Sequence, residues 1–162
     1  MSGINNDAEL IARLLQMKET ADNTLKVAIQ RAGIQVRDAA VNMCPVDTGE
    51  LRQSIHEMTE ITGGVIASIV YTNKEYAPYV EFGTGPKGAE NHAGISPEVS
   101  PVYSSAGWTY MNKDDEFVHT NGKEARPFMY PALKDNEERL KNNIRASIRM
   151  EVKKICNDKR KG

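Results

Sequence analysis

The chain has 162 residues, 40% hydrophobic and 27% charged, with a formal net charge of −1. This composition describes one folded domain and excludes a disordered or fibrous chain, and no apolar run reaches the roughly 18 residues that a membrane span requires. Cys44 and Cys156 lack metal-type spacing and are expected to be free thiols, and Met1–Asp7 has no basic-then-apolar secretory pattern, so synthesis in the cytoplasm and no membrane partner are expected.

Asp7 to Met43 is the first long element. Leu10, Ile11, Leu14 and Leu15, then Leu25, Ala28, Ile29, Ala32, Val36, Ala39 and Ala40, recur at three- and four-residue steps, the period of an amphipathic helix. Asp7 is a suitable N-cap. The polar stretch Lys18–Thr24 permits a bend near Asp22, so residues 1–22 are expected as a helical arm and 23–156 as the domain proper. Helix gives way at Cys44-Pro45, because the residue before proline avoids the α region. Asp47 followed by Glu50 fits a capping box for a short helical turn through Gln53, taking in Leu51 and Arg52. Asp47-Thr48-Gly49 also occurs in aspartic proteases, but that chemistry needs a second, paired aspartate.

Ser54–Ile61 and Val65–Thr72 flank Thr62-Gly63-Gly64, a hairpin signal, with the second strand expected to be buried on both faces. His56 is read as a structural strand residue. Tyr76-Ala77-Pro78-Tyr79-Val80-Glu81-Phe82-Gly83 then reads as one or two helical turns, Pro78 starting them and Gly83 closing them. A helix this short needs tertiary support, so Tyr79, Val80 and Phe82 are expected to be at least partly buried.

Residues 83–107 are rich in glycine and proline and show no regular period, and their glycines lack the spacing of a phosphate loop. Trp108–Met111 and Glu116–Thr120 bracket Asn112–Asp115, a second hairpin signal. Asp114, Asp115, Glu116 and His119 could be imagined as metal ligands, but acids are ordinary at a turn tip and no second histidine is near. Within the long loop and hairpin of 83–122, residues 87–120 are expected to project and to order against a neighbouring subunit or the adjoining ring, with Trp108 as anchor. Arg126-Pro127-Phe128 opens a last helix whose stripe is Leu133, Leu140, Ile144, Ile148, Val152 and Ile155. Arg126 is expected to pair with a carboxylate, Glu81 or Glu50, or with a carbonyl, within the subunit or across its boundary. From Lys134 to Gly162 ten Lys or Arg stand against five Asp or Glu. That excess reads as a solvated helix end with a basic, frayed tail at 157–162, acids early and bases late as the helix dipole favours.

Three segments together resemble one family: Cys44–Arg52 (with Asp47, Thr48, Gly49, Leu51 and Arg52) after a long helix, Tyr79-Val80-Glu81-Phe82-Gly83-Thr84 after a hairpin, and Ala125-Arg126-Pro127-Phe128 before a terminal helix. In order and spacing they are similar to the neck or tail-completion proteins of long-tailed bacteriophages. The resemblance implies an α+β subunit, a small antiparallel sheet packed by long N- and C-terminal helices, here with a long loop and hairpin insertion. It implies a virion structural protein at the head–tail junction, without catalysis, cofactor or metal. The implied partners are copies of itself in a six-fold or alternatively twelve-fold ring, a head-closure protein, and a tail terminator or tail tube protein. Genome DNA would pass through the lumen without sequence-specific binding. The alternatives are a terminator or cap of a headless tail-like particle, a small hydrolase using Asp47 or His119, and a DNA-binding protein using the basic C-terminal end.

Overall fold

The computed structural model describes residues 3–158, with side chains from 7 to 157. Its elements in order are α1 (Gly3–Met43), α2 (Glu50–Gln53), β1 (Ile55–Thr62), β2 (Val65–Thr72), α3 (Ala77–Phe82), α4 (Gly85–Glu90), β3 (Trp108–Met111), β4 (Phe117–Thr120), α5 (Met129–Lys134) and α6 (Glu137–Asp158). The α+β class and the long terminal helices agree with the sequence reading, and the sheets are two antiparallel hairpins, β1–β2 and β3–β4. Among the described residues no helix is long and apolar enough to cross a membrane. The chain divides into two units, one of residues 1–34, 58–69 and 137–162, the other of 35–57 and 70–136.

The apolar steps of α1, of which residues 3–34 belong to the first unit, produce an unbroken 41-residue helix that starts before Asp7, so Asp7 is not its N-cap. Its first apolar set is bare: Leu10, Ile11, Leu14 and Leu15 are each more than half exposed. Further along, Ala28 is buried, and on α6 so is Leu140. The hairpin end in this unit turns at Gly63 (φ 58°) and Gly64 (φ 81°). Positive φ at both central positions is what a two-residue turn matched to strand twist demands. β2 is not buried on both faces: Val65, Ile69 and Tyr71 are exposed, and their neighbours Ile66, Ala67 and Val70 half-buried. Antiparallel sheets commonly pack one face and leave the other to solvent, and burial of both would need a packed layer on each side.

The second unit holds most of the buried side chains: Val36, Ala40, Cys44, Leu51, Ile55, Ala77, Phe128 and Ala132, with Ser54 and Glu81 as the polar members. Ser54 Oγ donates to Leu51 O (2.7 Å) and meets Thr72 Oγ1 at 2.6 Å, so its burial is satisfied. The expected capping box does not form. Gly49 (φ 84°) precedes α2 without a side-chain cap, while Asp47 is exposed and the Glu50 carboxylate turns away to Lys74 Nζ at 2.8 Å.

The last helical region is two helices rather than one. After α5, Asn136 N–H donates to Leu133 O (3.2 Å) and its Nδ2 to Ala132 O (2.8 Å), ending the helix with local bonds that a continued ladder would exclude. Leu133, assigned to the apolar stripe, is consequently 51% exposed, and Val152 on α6 is 49% exposed. Of the expected basic tail, Asn157 and Asp158 belong to α6, while Lys159, Arg160, Lys161 and Gly162 lie outside the described residues.

Candidate assembly site

The segment Val80–Thr84 is tied residue by residue to the chain between 103 and 130. Arg126 N–H donates to Val80 O (2.8 Å). The carboxylate of Glu81, only 6% exposed, accepts three backbone N–H groups at the start of α5. Oε2 takes those of Phe128 (2.7 Å) and Met129 (3.0 Å), and Oε1 takes that of Tyr130 (3.0 Å). Phe128 precedes α5 with no side-chain cap of its own. A helix start leaves its first N–H groups without intrahelical partners, and a negative charge is favoured there. Glu81 therefore caps a helix from another element, 47 residues away in sequence.

The next three residues continue the clamp. Tyr103 Oη donates to Phe82 O (2.8 Å), and burial pushes the Tyr103 hydroxyl pKa up. His92 stacks on the Tyr103 ring at 5.8 Å. Gly83 closes α3 at φ 76°, ψ −180°, a region open essentially to glycine alone. A Cβ on it would lie 2.7 Å from Ala125 N and 2.8 Å from Lys123 O. Thr84 and Lys123 exchange backbone bonds of 2.8 and 3.1 Å as an isolated antiparallel bridge. Gly122 leaves room for this bridge, since a Cβ there would fall 1.9 Å from Thr84 O.

Beside the clamp, Arg52 Nη2 donates to Cys44 O (2.8 Å), holding the chain where α1 ends. Its Nε is buried without a partner among the described residues. Burial raises the Cys44 thiol pKa, with Arg52 opposing and Glu81 adding to the rise. Leu51 is buried beneath this turn, while Asp47 and Thr48 are exposed, Thr48 Oγ1 accepting only a long 3.4 Å bond from Glu50 N–H.

Several sequence expectations are corrected here. Tyr79 is 63% exposed, because the face of α3 that turns inward carries Ala77 and Glu81. Val80 and Phe82 are half-buried, as expected. Arg126 contributes its backbone to the clamp but its exposed guanidinium has no partner among the described residues. The carboxylates expected to meet it are engaged elsewhere, Glu81 by the α5 backbone and Glu50 by Lys74. Pro127 is half-buried and Phe128 fully buried. The loop after Gly83 is not wholly irregular, since α4 fills Gly85–Glu90. Tyr103, whose role no spacing pattern announces, anchors that loop; the available signal was one aromatic hydroxyl in a polar stretch.

Trp108 is 42% exposed at the start of β3. The hairpin register pairs Trp108 with Thr120, Thr109 with His119, Tyr110 with Val118 and Met111 with Phe117. Along β4 burial alternates: Phe117 and His119 are exposed, Val118 and Thr120 half-buried. Directly opposed residues share a face, so Trp108 and Tyr110 stand on the half-covered side and Met111 and Phe117 on the bare one. Phe117, 79% exposed, is the more open aromatic, and sequence reasoning passed over it. The turn is built by Asn112, whose Oδ1 accepts from Asp114 and Glu116 N–H at 2.9 Å each, with Asp115 in the left-handed region (φ 60°). Among the described residues no three His, Cys, Asp or Glu are grouped as metal ligands.

Residues 8–83 match the HK97-gp10-like family, described as "Bacteriophage HK97-gp10, putative tail-component". The matched part, 76 of the 162 residues, is thus similar to a family described as a phage tail component. The match spans α1 from residue 8, the Pro45–Arg52 turn, the β1–β2 hairpin and the Tyr79–Gly83 segment. It supports the neck and tail-completion resemblance, and it points to a tail-related structural component of a virion rather than to an enzyme. The β3–β4 hairpin and Arg126–Phe128 lie beyond the matched residues. No similar curated protein and no similar solved structure is found.

Proposed function

We propose that this chain is a ring-forming subunit of the phage neck, joining the head-completion proteins to the tail around the channel through which the genome passes. The observation that carries the reading is the distribution of apolar surface. The second unit buries its clamp thoroughly, yet Val46, Tyr79, Val102, Tyr110, Met111 and Phe117 remain open, and so does the Leu10–Leu15 face of α1. Open apolar patches of this kind are what interfaces toward neighbouring copies cover. Heterologous contacts that close by rotation use such pairs of unlike patches.

In this reading the clamp of Glu81, Gly83 and Thr84 on residues 123–130 sets a rigid frame, and the residues 1–22 arm and the 83–122 insertion reach neighbouring chains or the rings above and below. The exposed Arg126 guanidinium is available to a carboxylate across a subunit boundary. Peptide mass spectrometry of purified particles, combined with antibody labelling, tests the placement. Labelling at the head–tail junction is expected. Absence from particles, or labelling at the distal tail tip, contradicts it.

A further inference from the structure

The bare side of the β3–β4 hairpin has two parts. Met111 and Phe117 are opposed in register and 55% and 79% exposed. The tip beside them, Lys113-Asp114-Asp115-Glu116, carries three carboxylates and one ammonium, and none of the four forms an ion pair among the described residues. A two-stranded ribbon with an open apolar face is marginal by itself, so a covering surface of opposite charge is called for.

One element has that chemistry. On α6 the early cation Lys141 is paired with Glu137 and Glu138, and the late cation Lys154 with Glu151. Arg145, Arg149 and Lys153, at successive four-residue steps and so on a single helix face, form no ion pair among the described residues, and all three are exposed. Arg145 reaches only Asn142 Oδ1, at 3.4 Å. Val152, 49% exposed, and the exposed Cys156 belong to the same face. It thus offers an apolar side chain framed by unmatched cations, the complement of an apolar pair beside unmatched carboxylates.

We propose that the outward face of the β3–β4 hairpin, Met111 and Phe117 with the acidic tip, seats on the Arg145–Arg149–Lys153 face of α6 in a second copy of this chain. The proposal rests on the ring reading and names its contact. The two patches differ, so each copy uses one toward either neighbour and the chain of contacts closes by rotation. Charge complementarity sets the register, and burial of Phe117 on the Val152 side supplies the adhesion.

Cys156 makes the contact measurable. In the full chain, Lys113→Cys puts a thiol on the tip without removing a carboxylate or an apolar residue, while Cys44 stays buried. Under mild oxidation the introduced thiol is expected to couple to Cys156 of the next copy, giving a ladder of covalent oligomers that Cys156→Ser abolishes. Arg149→Glu in the Lys113→Cys chain should lower the ladder yield about tenfold, and Asp114→Arg added to it should restore the yield. These positions are exposed, so the melting temperature of each variant is expected to match the parent and serves as the folding control. Oligomers seen by light scattering with no ladder overturn this contact and leave the ring reading standing. A bond closed within one monomer, or a yield indifferent to Arg149→Glu, likewise overturns it. Loss of duplex DNA retention by Arg149→Glu with an unchanged ladder assigns the basic face to phosphate instead. A native chain that stays monomeric at every concentration removes both readings.

Discussion

Glu81 carries the largest consequence of any one side chain. It is charged by type yet buried, because three N–H donors replace its hydration. Glu81→Ala leaves those donors without a partner and is expected to cost about 3 kcal/mol or more. Glu81→Gln keeps the shape but turns an amide donor toward backbone donors, so it should recover only part of the loss. Denaturant melts of the three proteins check the order. Phe128→Ala, at a fully buried site, should cost about 3–5 kcal/mol, and Phe82→Ala less, because Phe82 is half-buried. The two thiols should separate as sharply. Cys44 is 1% exposed with a raised pKa, so a thiol reagent at neutral pH should modify Cys156 alone in the native protein, read by intact mass. Modification of both without denaturant contradicts the burial. The Glu50–Lys74 pair has a defined pH window. The Glu50 pKa is lowered from 4.5, so its contribution is present above that value and is lost as pH falls through the lowered one. The Lys74 pKa is raised from 10.5, so its contribution is present below 10.5 and is lost as pH rises through the raised one. The melting difference between native protein and Glu50→Gln should be small, since both groups lie at the surface. It should vanish toward either end of that window.

At the scale of elements, the parts with a strong local cause were legible and those with a tertiary cause were not. Hydrophobic period gave α1, two glycines with paired apolar runs gave β1–β2, and Pro78 with Gly83 bounded α3. The break at Asp135–Asn136 escaped because Leu133 and Leu140 keep helical spacing across it, while the break depends on the Asn136 side chain bonding back to Ala132 O. The capping role of Glu81 escaped because it joins groups 47 residues apart, and no local pattern encodes such a pair. The same limit explains Arg126: a carboxylate or carbonyl partner was expected for its guanidinium, but it is the Arg126 backbone that makes the contact, to Val80 O. Gly83 shows what the clamp requires of the chain. Gly83→Ala combines a disfavoured φ with a Cβ 2.7 Å from Ala125 N. It should therefore destabilise by about 3 kcal/mol or more. A melt within experimental error of the native protein would mean that residues 123–125 are not seated against α3.

For the whole molecule, stability and assembly are assigned to different surfaces. The motifs that resemble the neck family are mostly spent inside the subunit, in the clamp and around Arg52, and the proposed ring would use the less patterned surfaces for its partners. Substitutions there should leave the monomer's melt unchanged and alter association; Leu14→Ser on the α1 arm is expected to behave so, being 53% exposed. The central claim is that these surfaces join copies of the chain into a closed ring. Its most direct test is the native mass of the full chain across a concentration series. The account predicts one discrete species at a fixed multiple of 18.0 kDa, consistent with a closed ring. A monomer at every concentration, or a ladder of masses without a closed end-point, would contradict it.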